Sequence, residues 1–411
     1  MKKVIVIGAG AAGMMAAIAA AENDTEVIIL EKMPKVGRKL LITGKGRCNV
    51  TNSGDMQTFI KNMPGNGSFL YSALNAFNNQ AMIDFLAKYN VPTKCERGGR
   101  IFPVSDKAID VVNAFLRVLA NHKVKILTEQ RAQRILVENN RITGIITTAG
   151  TVYHSDAVIL CSGGASYPAT GSSGDGYVMA REVGHHIVPL KPSLVPLEVA
   201  EEWITELQGL SLKNVTAAVI TEGRKTAEEF GEMLFTHFGL SGPIILSLSK
   251  VVADLLSKKK EALLEVNLKP ALTEEVLDKR LQRDFEKFSR KQLKNSLHEL
   301  LPAKIIPVVM DIAFLDPDKP VHQITKQERS RLVATLSHLT FTVTSTRSIN
   351  EAIVTAGGVS TKEINPATMQ SKLVQGLFFA GEVIDIDGYT GGFNLQAAFS
   401  TGYVAGKNAA Y

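Results

Sequence analysis

The residues best suited to hold a reactive group stand near the N-terminus. Gly8-Ala9-Gly10-Ala11-Ala12-Gly13 has the spacing G-x-G-x-x-G. In that spacing Gly8 allows a tight turn, Gly10 lets the backbone approach a pyrophosphate, and Gly13 lets a helix pack close to a strand. The β-branched run Val4-Ile5-Val6-Ile7 predicts a buried parallel strand before the turn, and Met14 to Glu22 continues as a helix. Ala11 and Ala12 then fall at a helix N-terminus, whose free N–H groups and partial positive charge favour phosphate. Glu26 to Glu31 reads as a second strand, with Lys32 just beyond it. A carboxylate at Glu31 accepts ribose hydroxyls and repels a 2′-phosphate. Strand, glycine turn, helix, strand and acid in this order predict a dinucleotide site rather than a bare turn.

The loop after that acid carries the second signal. Residues 35–52 are basic and glycine-rich, with Arg38, Lys39, Lys45 and Arg47 as cations. Cations there suit a pyrophosphate. Thr43, Gly46, Cys48 and Asn49 are interleaved with them, which argues for close backbone approach to a ligand over a solvated basic loop. An NAD dehydrogenase would run on into further βαβ repeats, and this chain does not, so FAD is the expected dinucleotide. Two later strands also end in glycine. Asp156 to Leu160 leads to Ser162, Gly163 and Gly164, and Leu377 to Ala380 leads to Gly381 and Glu382. An acid at such a strand end commonly meets the ribityl chain. The segment Asp385 to Gln396 contains Gly391, Gly392, Asn394 and Leu395 and precedes the last helix. Its N–H donors can face the flavin N1–C2=O edge, where reduction builds negative charge. Asp175, after Gly171 to Gly174, is either another flavin contact or a helix N-cap.

The strings GRKLLITGKGRCNVTN, GGRIFPVSDKA, FTHFGLSGP, TAGGV and GEVIDIDGYTGGFNLQAAFSTGYVAG follow one another along the chain. Together they resemble the BaiN-like, aminoacetone-oxidase family of FAD-binding flavoproteins, from about residue 1 to the C-terminus. The resemblance implies a glutathione-reductase-type FAD-binding Rossmann domain interrupted by an inserted domain. It also implies flavin redox chemistry, connected in some members with reduction of conjugated C=C bonds in steroid-like acids and in the family label with amine oxidation.

The elements that must position these residues divide the chain. We expect an α/β FAD-binding domain in two parts, residues 1–192 and 342–411, around an inserted substrate-capping domain, 193–341, that is part β-barrel and part helical. Residues 53–130 read as mostly helical, and Val124 to Tyr153 as strands and a hairpin. Pro189 to Pro192 reads as a linker out of the first domain. Within the insert, Leu194 to Val199, Val215 to Ile220 and Leu263 to Leu268 have strand patterns. Glu274 to Leu297 and Gln323 to Leu336 have helical ones. There is no internal repeat.

Composition closes off other classes. Hydrophobic residues make up 45% of the 411, enough for a sizeable core and too many for a disordered chain. The basic excess of six is small for this length and permits anionic ligands without demanding nucleic acid. Cys48, Cys95 and Cys161 form no CxxC, which fits a reducing cytoplasm and excludes a cysteine-built zinc site. The uncharged run from Val4 to Ala21 is broken by three glycines, so it predicts a strand-turn-helix rather than a membrane span. The expected protein is therefore a cytoplasmic FAD-dependent oxidoreductase, an NADH- or NADPH-linked reductase of a small organic substrate. An oxygen-using amine oxidase and a flavin protein with a sensing or RNA-associated role are the alternatives. His237, Tyr389 and Arg100 are candidates for proton transfer or substrate binding, each with an ordinary structural reading beside it. The sequence leaves the catalytic residue and the oligomeric state open.

Overall fold

The computed structural model describes residues 1–411 as two compact units, Met1–Ser193 with Ile349–Tyr411, and Leu194–Ser348. The first unit is built on a five-stranded parallel sheet. Its strands run in the order Leu377–Phe379, Ala157–Leu160, Lys3–Ile7, Glu26–Leu30 and Lys125–Leu127. All four ladders are parallel. Strands covered on both faces should read as continuous apolar runs, and Val4 to Ile7 and Ala157 to Leu160 are buried throughout.

The helix Ala11–Ala21 follows the first strand and is buried over nine of its eleven residues. Its unbroken run of apolar residues suits a helix packed on several sides rather than a surface one. The C-terminal helix Phe393–Ala409 covers it. A Cβ on Gly402 would lie 2.4 Å from the Ala12 carbonyl oxygen, and one on Gly406 would lie 2.1 Å from that of Ala16. Two glycines one turn apart thus let the last helix rest directly on the backbone of the first. The two ends of the chain form one packed layer, as a jointly held dinucleotide requires.

Smaller sheets surround this frame. Thr51–Asn52, Arg100–Pro103 and Thr93–Glu96 form an antiparallel sheet that the helical reading of 53–130 missed. Its strands have only two to four residues, too few for a period-two signal. Ala132–Glu138, Arg141–Thr147 and Val152–His154 form the expected hairpin region. Residues 189–192 are not a linker. They belong to the strand Ile187–Ser193, which pairs with Val354–Val359 across a bulge between Val188 and Lys191. A two-stranded ribbon with a bulge accommodates Pro189 and Pro192, whose missing N–H groups would break a central strand.

The second unit contains a closed six-stranded barrel of Leu197–Val199, Gly239–Ser241, Arg224–Phe235, Ser211–Thr221, Leu263–Asn267 and Leu339–Thr346. The helices Pro243–Ser257, Glu274–Lys287, Ile306–Ile312 and Lys326–Ser337 belong to the same unit. Thr273 caps one of the charged helices, and Thr325 forms a capping box with Glu328 on another. The strand to Thr346 closes the barrel, so the first unit resumes at Ile349 and not at 342. Glu274 to Leu297 is helical only to Lys287. No helix of either unit is long and apolar enough to cross a membrane.

Candidate functional site

The glycine turn is built in two different ways. Gly8 has φ +103°, and its N–H donates to the Leu30 carbonyl at 2.8 Å. A Cβ there would lie 2.5 Å from the Cys161 carbonyl oxygen, and a Cβ on Gly13 would lie 1.9 Å from that of Gly8. Packing alone demands these two glycines. Gly10 is different. Its backbone is extended, and a Cβ on it would meet nothing within 4 Å. It caps the Ala11–Ala21 helix without any side-chain cap, and no acid lies in the first turn. The helix therefore opens on free space with its positive end uncovered, beside Ala11 and Ala12.

Arg38 supplies a counter-charge next to this turn. Gly37 donates its N–H to the Ala9 carbonyl at 2.9 Å and caps the short helix Arg38–Ile42. Arg38 is half-buried and makes no hydrogen bond or ion pair. A partly desolvated guanidinium without an acid suits a phosphate. The other expected cations are spoken for, apart from exposed Lys45. Lys39 donates to Glu382 Oε2 and to Ser166 Oγ, both at 2.7 Å. Arg47 pairs with Glu96 at 2.8 Å and Asp106 at 3.3 Å and lies over the Phe102 ring. These carboxylates hold the Arg47 charge more firmly than usual.

The expected acids are also engaged. Glu31 accepts from the Ala9 and Met33 N–H groups, each at 2.8 Å, so it shapes the turn. Asp175 is not the N-cap, which is Gly174; it sits in the first turn, paired with Lys32 and bidentately with Arg131. Those partners, with Ser173, hold its carboxyl below the usual range against the opposing effect of burial. Glu382 accepts from Lys39, Ser166 and the Thr355 N–H. Gly164 lies beneath this network, since a Cβ there would come 2.4 Å from Thr355 Oγ1. Thr355 and Ser166 were missed from sequence; TAGGV was the only signal for the former. Gly381 has φ +75° and donates to Thr401 Oγ1 at 3.0 Å. Gly163 has φ +72°, and Ser162 lies against Gly176, where a Cβ would meet its Oγ at 1.9 Å.

The C-terminal motif meets the basic loop at the other end of the site. Gly391 and Gly392 have φ +130° and +99°, and a Cβ on Gly392 would lie 2.3 Å from the Thr51 carbonyl oxygen. Asn52, a residue the sequence reading did not single out, donates to Gly391 O at 2.9 Å and Gly98 O at 3.0 Å. The helix Phe393–Ala409 starts here with no side-chain cap and no acid in its first turn. Asn49 Oδ1 and Thr51 Oγ1 are buried with no hydrogen-bond partner. Such groups are costly unless something satisfies them. Asn394 closes the preceding loop, accepting from Gly388 N–H and donating to Gly388 O, both at 2.7 Å. Leu395 packs at the edge of the core.

Thr43 Oγ1 bonds back to Leu40 O, and Gly46 is exposed with φ +84°. Cys48 is fully buried and its thiol is pushed up to about 12 by desolvation, so it is a packing residue. His237 is exposed in the barrel unit, with its ring edge-on to Phe238. Tyr389 is half-buried, in the segment leading to Gly391. Arg100 lies 3.8 Å from Glu96. No group of three or more His, Cys, Asp or Glu side chains could hold a metal.

An uncapped helix end facing open space, an unpaired half-buried arginine and two orphaned polar atoms beside a second helix end fit a long dinucleotide, which the FAD-binding Rossmann frame supplies.

The HI0933-like protein Rossmann domain matches residues 2–408. A 3-dehydro-bile acid delta(4,6)-reductase of Clostridium scindens is 33% identical, over 100% of this chain and 99% of its own. A ribosomal RNA dihydrouridine synthase of Haemophilus influenzae is 30% identical, over 97% and 96%. Among solved structures, a 3-ketosteroid-delta4-(5alpha)-dehydrogenase of Rhodococcus jostii has the same fold, with a TM-score of 0.55 at 15% identity, covering 100% of this chain and 97% of that one. The chain belongs to the HI0933-like family of FAD-binding Rossmann proteins.

Proposed function

We propose that this FAD-dependent oxidoreductase reduces a C=C bond conjugated to a carbonyl, with NADH or NADPH as electron donor. One observation carries the reading. Two relatives matched over nearly the whole chain are named for reductions of the same electronic kind. A 3-dehydro steroid acid with a Δ4 bond is an enone. Uridine carries its 5,6 double bond next to the C4 carbonyl, and dihydrouridine is its reduced form. Either reaction adds a hydride at the β-carbon and a proton at the α-carbon.

Bound FAD supplies the hydride. The chain's own residues bind, orient and balance charge. Ala11 and Ala12 N–H groups and Arg38 take the pyrophosphate. Glu31 keeps lone pairs for ribose while it holds the turn. The uncapped N–H groups of the helix end at Gly392 would favour the negative charge that reduction leaves on a bound flavin. Asn49 and Thr51 offer their orphaned oxygens to the flavin's polar edge. Tyr389 is our candidate for the α-proton, from its position just before Gly391. The sequence carries no strong nucleic-acid signal, and the relatives named for ribosomal RNA weigh weakly against that reading.

The test is anaerobic. NADH or NADPH should bleach the bound flavin, and a 4-en-3-one acid or a uridine-containing RNA should restore its colour and emerge with two added hydrogens. Recolouring by oxygen alone, or bleaching by amines, would overturn the proposal.

A further inference from the structure

Two neighbouring strands of the barrel part at one end. Ser211–Thr221 pairs with Leu263–Asn267 only from Ile220 opposite Leu263 to Thr216 opposite Asn267. There the second strand turns away, and the Leu268 N–H donates instead to the Leu336 carbonyl at 2.9 Å. Ser211 to Val215 keep their neighbour on the other side, Arg224–Phe235, but that ladder is bulged. Lys213 and Asn214, the latter with φ +56°, stand opposite Glu232 alone. A bulge of this kind bends the strand and re-aims a side chain. Between the parted strands and Leu301–Pro302 lies a cavity of about 290 Å³. All of its lining residues belong to the barrel unit.

The lining is apolar except at one charge type. Leu212, Val215, Leu268 and Leu301 are part of the barrel unit's core. The charged groups are Lys213 and Lys269, and no acid lines the cavity. Lys269 is half-buried; burial, then the nearby Arg280 guanidinium, hold its amine below the ordinary lysine range. Arg280 has its own carboxylate, since its Nε donates to both Asp284 oxygens at 2.9 and 2.8 Å. The Lys269 backbone is fixed: its N–H donates to Asn267 Oδ1 at 2.8 Å, and its carbonyl accepts from the Leu272 N–H at 2.9 Å. A held stem thus carries an amine that desolvation penalises and no protein acid compensates. An anion in the cavity would remove that penalty.

We propose that this cavity binds a small amphipathic carboxylate, its head on Lys269 and Lys213 and its hydrocarbon body against Leu212, Val215, Leu268 and Leu301. The volume is that of about ten water molecules in the liquid. The body is therefore a short chain or a single ring, not a fused-ring skeleton. The apolar lining favours a carboxylate with a hydrocarbon body over inorganic phosphate. The site is a second one, built wholly within the barrel unit, and stands independently of the reductase reading.

The experiment titrates octanoate, octanamide and inorganic phosphate into the FAD-loaded full chain by calorimetry. Octanoate should bind at one per chain, at least about tenfold more tightly than the other two. Lys269→Gln and Lys213→Gln should keep the flavin spectrum and bind octanoate about tenfold more weakly, the loss expected for a charge-assisted contact. Lysine acetylation mapped by mass spectrometry locates the ligand: octanoate should protect Lys269 and leave exposed Lys258 as reactive as before. Lys269→Met should melt higher than wild type without ligand, because it removes an uncompensated half-buried charge, and saturating octanoate should close that gap by stabilising wild type alone. Equal octanoate affinity in wild type and both glutamine variants, or no protection of Lys269, would overturn the proposal. So would octanamide or phosphate binding as tightly as octanoate.

Discussion

Gly10 and Gly13 belong to one motif, yet substituting them should have opposite consequences. A Cβ on Gly13 would stand 1.9 Å from the Gly8 carbonyl oxygen, so helix and strand must move apart. Overpacking of that kind costs about 1–3 kcal/mol of folding stability. A Cβ on Gly10 meets nothing within 4 Å, and the backbone there is extended, so it adds no strain. Its methyl groups would instead occupy the space that we assign to the pyrophosphate. Displacing the phosphate from the helix N–H groups forfeits charge-assisted hydrogen bonds of about 1.5–3 kcal/mol each, and roughly 1.4 kcal/mol is tenfold in affinity. Gly10→Val should therefore melt like the wild-type apoprotein but bind FAD about ten- to a hundredfold more weakly. Gly13→Ala should melt lower even without FAD. The assays are thermal unfolding of flavin-stripped protein and fluorescence titration with FAD. Normal FAD affinity in Gly10→Val, or apoproteins equally destabilised by both changes, would refute the assignment of that space.

Other outcomes follow from single contacts. Arg38→Gln should weaken FAD binding about tenfold and lessen its salt dependence, because Arg38 has no other partner; retention of wild-type affinity in the same titration would exclude it from the phosphate site. Native protein treated with iodoacetamide at mildly alkaline pH should gain one adduct by mass spectrometry, at exposed Cys95, while buried Cys48 and Cys161, whose thiols are pushed up by desolvation, stay unmodified. His185 is buried between Glu363 and Ser371, and desolvation lowers its pKa below the ordinary 6.5 despite the nearby acid. The unfolded chain then takes up the proton first, so this stability is complete above about pH 6.5 and is lost as pH falls below it. Melting points of wild type and His185→Gln at several pH values should diverge less in acid than at neutral pH.

The readable parts of this fold were those with a local period. The Val4 to Ile7 strand, the alanine helix and the Glu31 strand end stood out because a buried parallel strand and a glycine turn each leave a signature in adjacent residues. The barrel was foreseen in kind, but the insert was ended at 341, inside the strand Leu339–Thr346, because nothing in 342–348 marks a partner as distant as Leu197. Pro189 and Pro192 suggested a linker because sequence does not reveal that a bulged two-stranded ribbon will carry them. At the site, the glycines were legible and the charges were not. Four cations in one loop looked equivalent. Only the fold shows that Lys39 answers to Glu382, 343 positions away, and Arg47 to Glu96 and Asp106, while Arg38 has no acid. Asn52, which ties the small sheet to Gly391, had no local signature.

The central claim is that the packed first and last helices hold one FAD between the turn at Gly10 and the helix end at Gly392. Its most direct test is to denature purified protein and quantify the released flavin by chromatography. The account predicts FAD, not FMN, at one per chain, or uptake to that ratio when FAD is added to stripped protein. Colourless protein that takes up no FAD, or that releases only FMN, would contradict it.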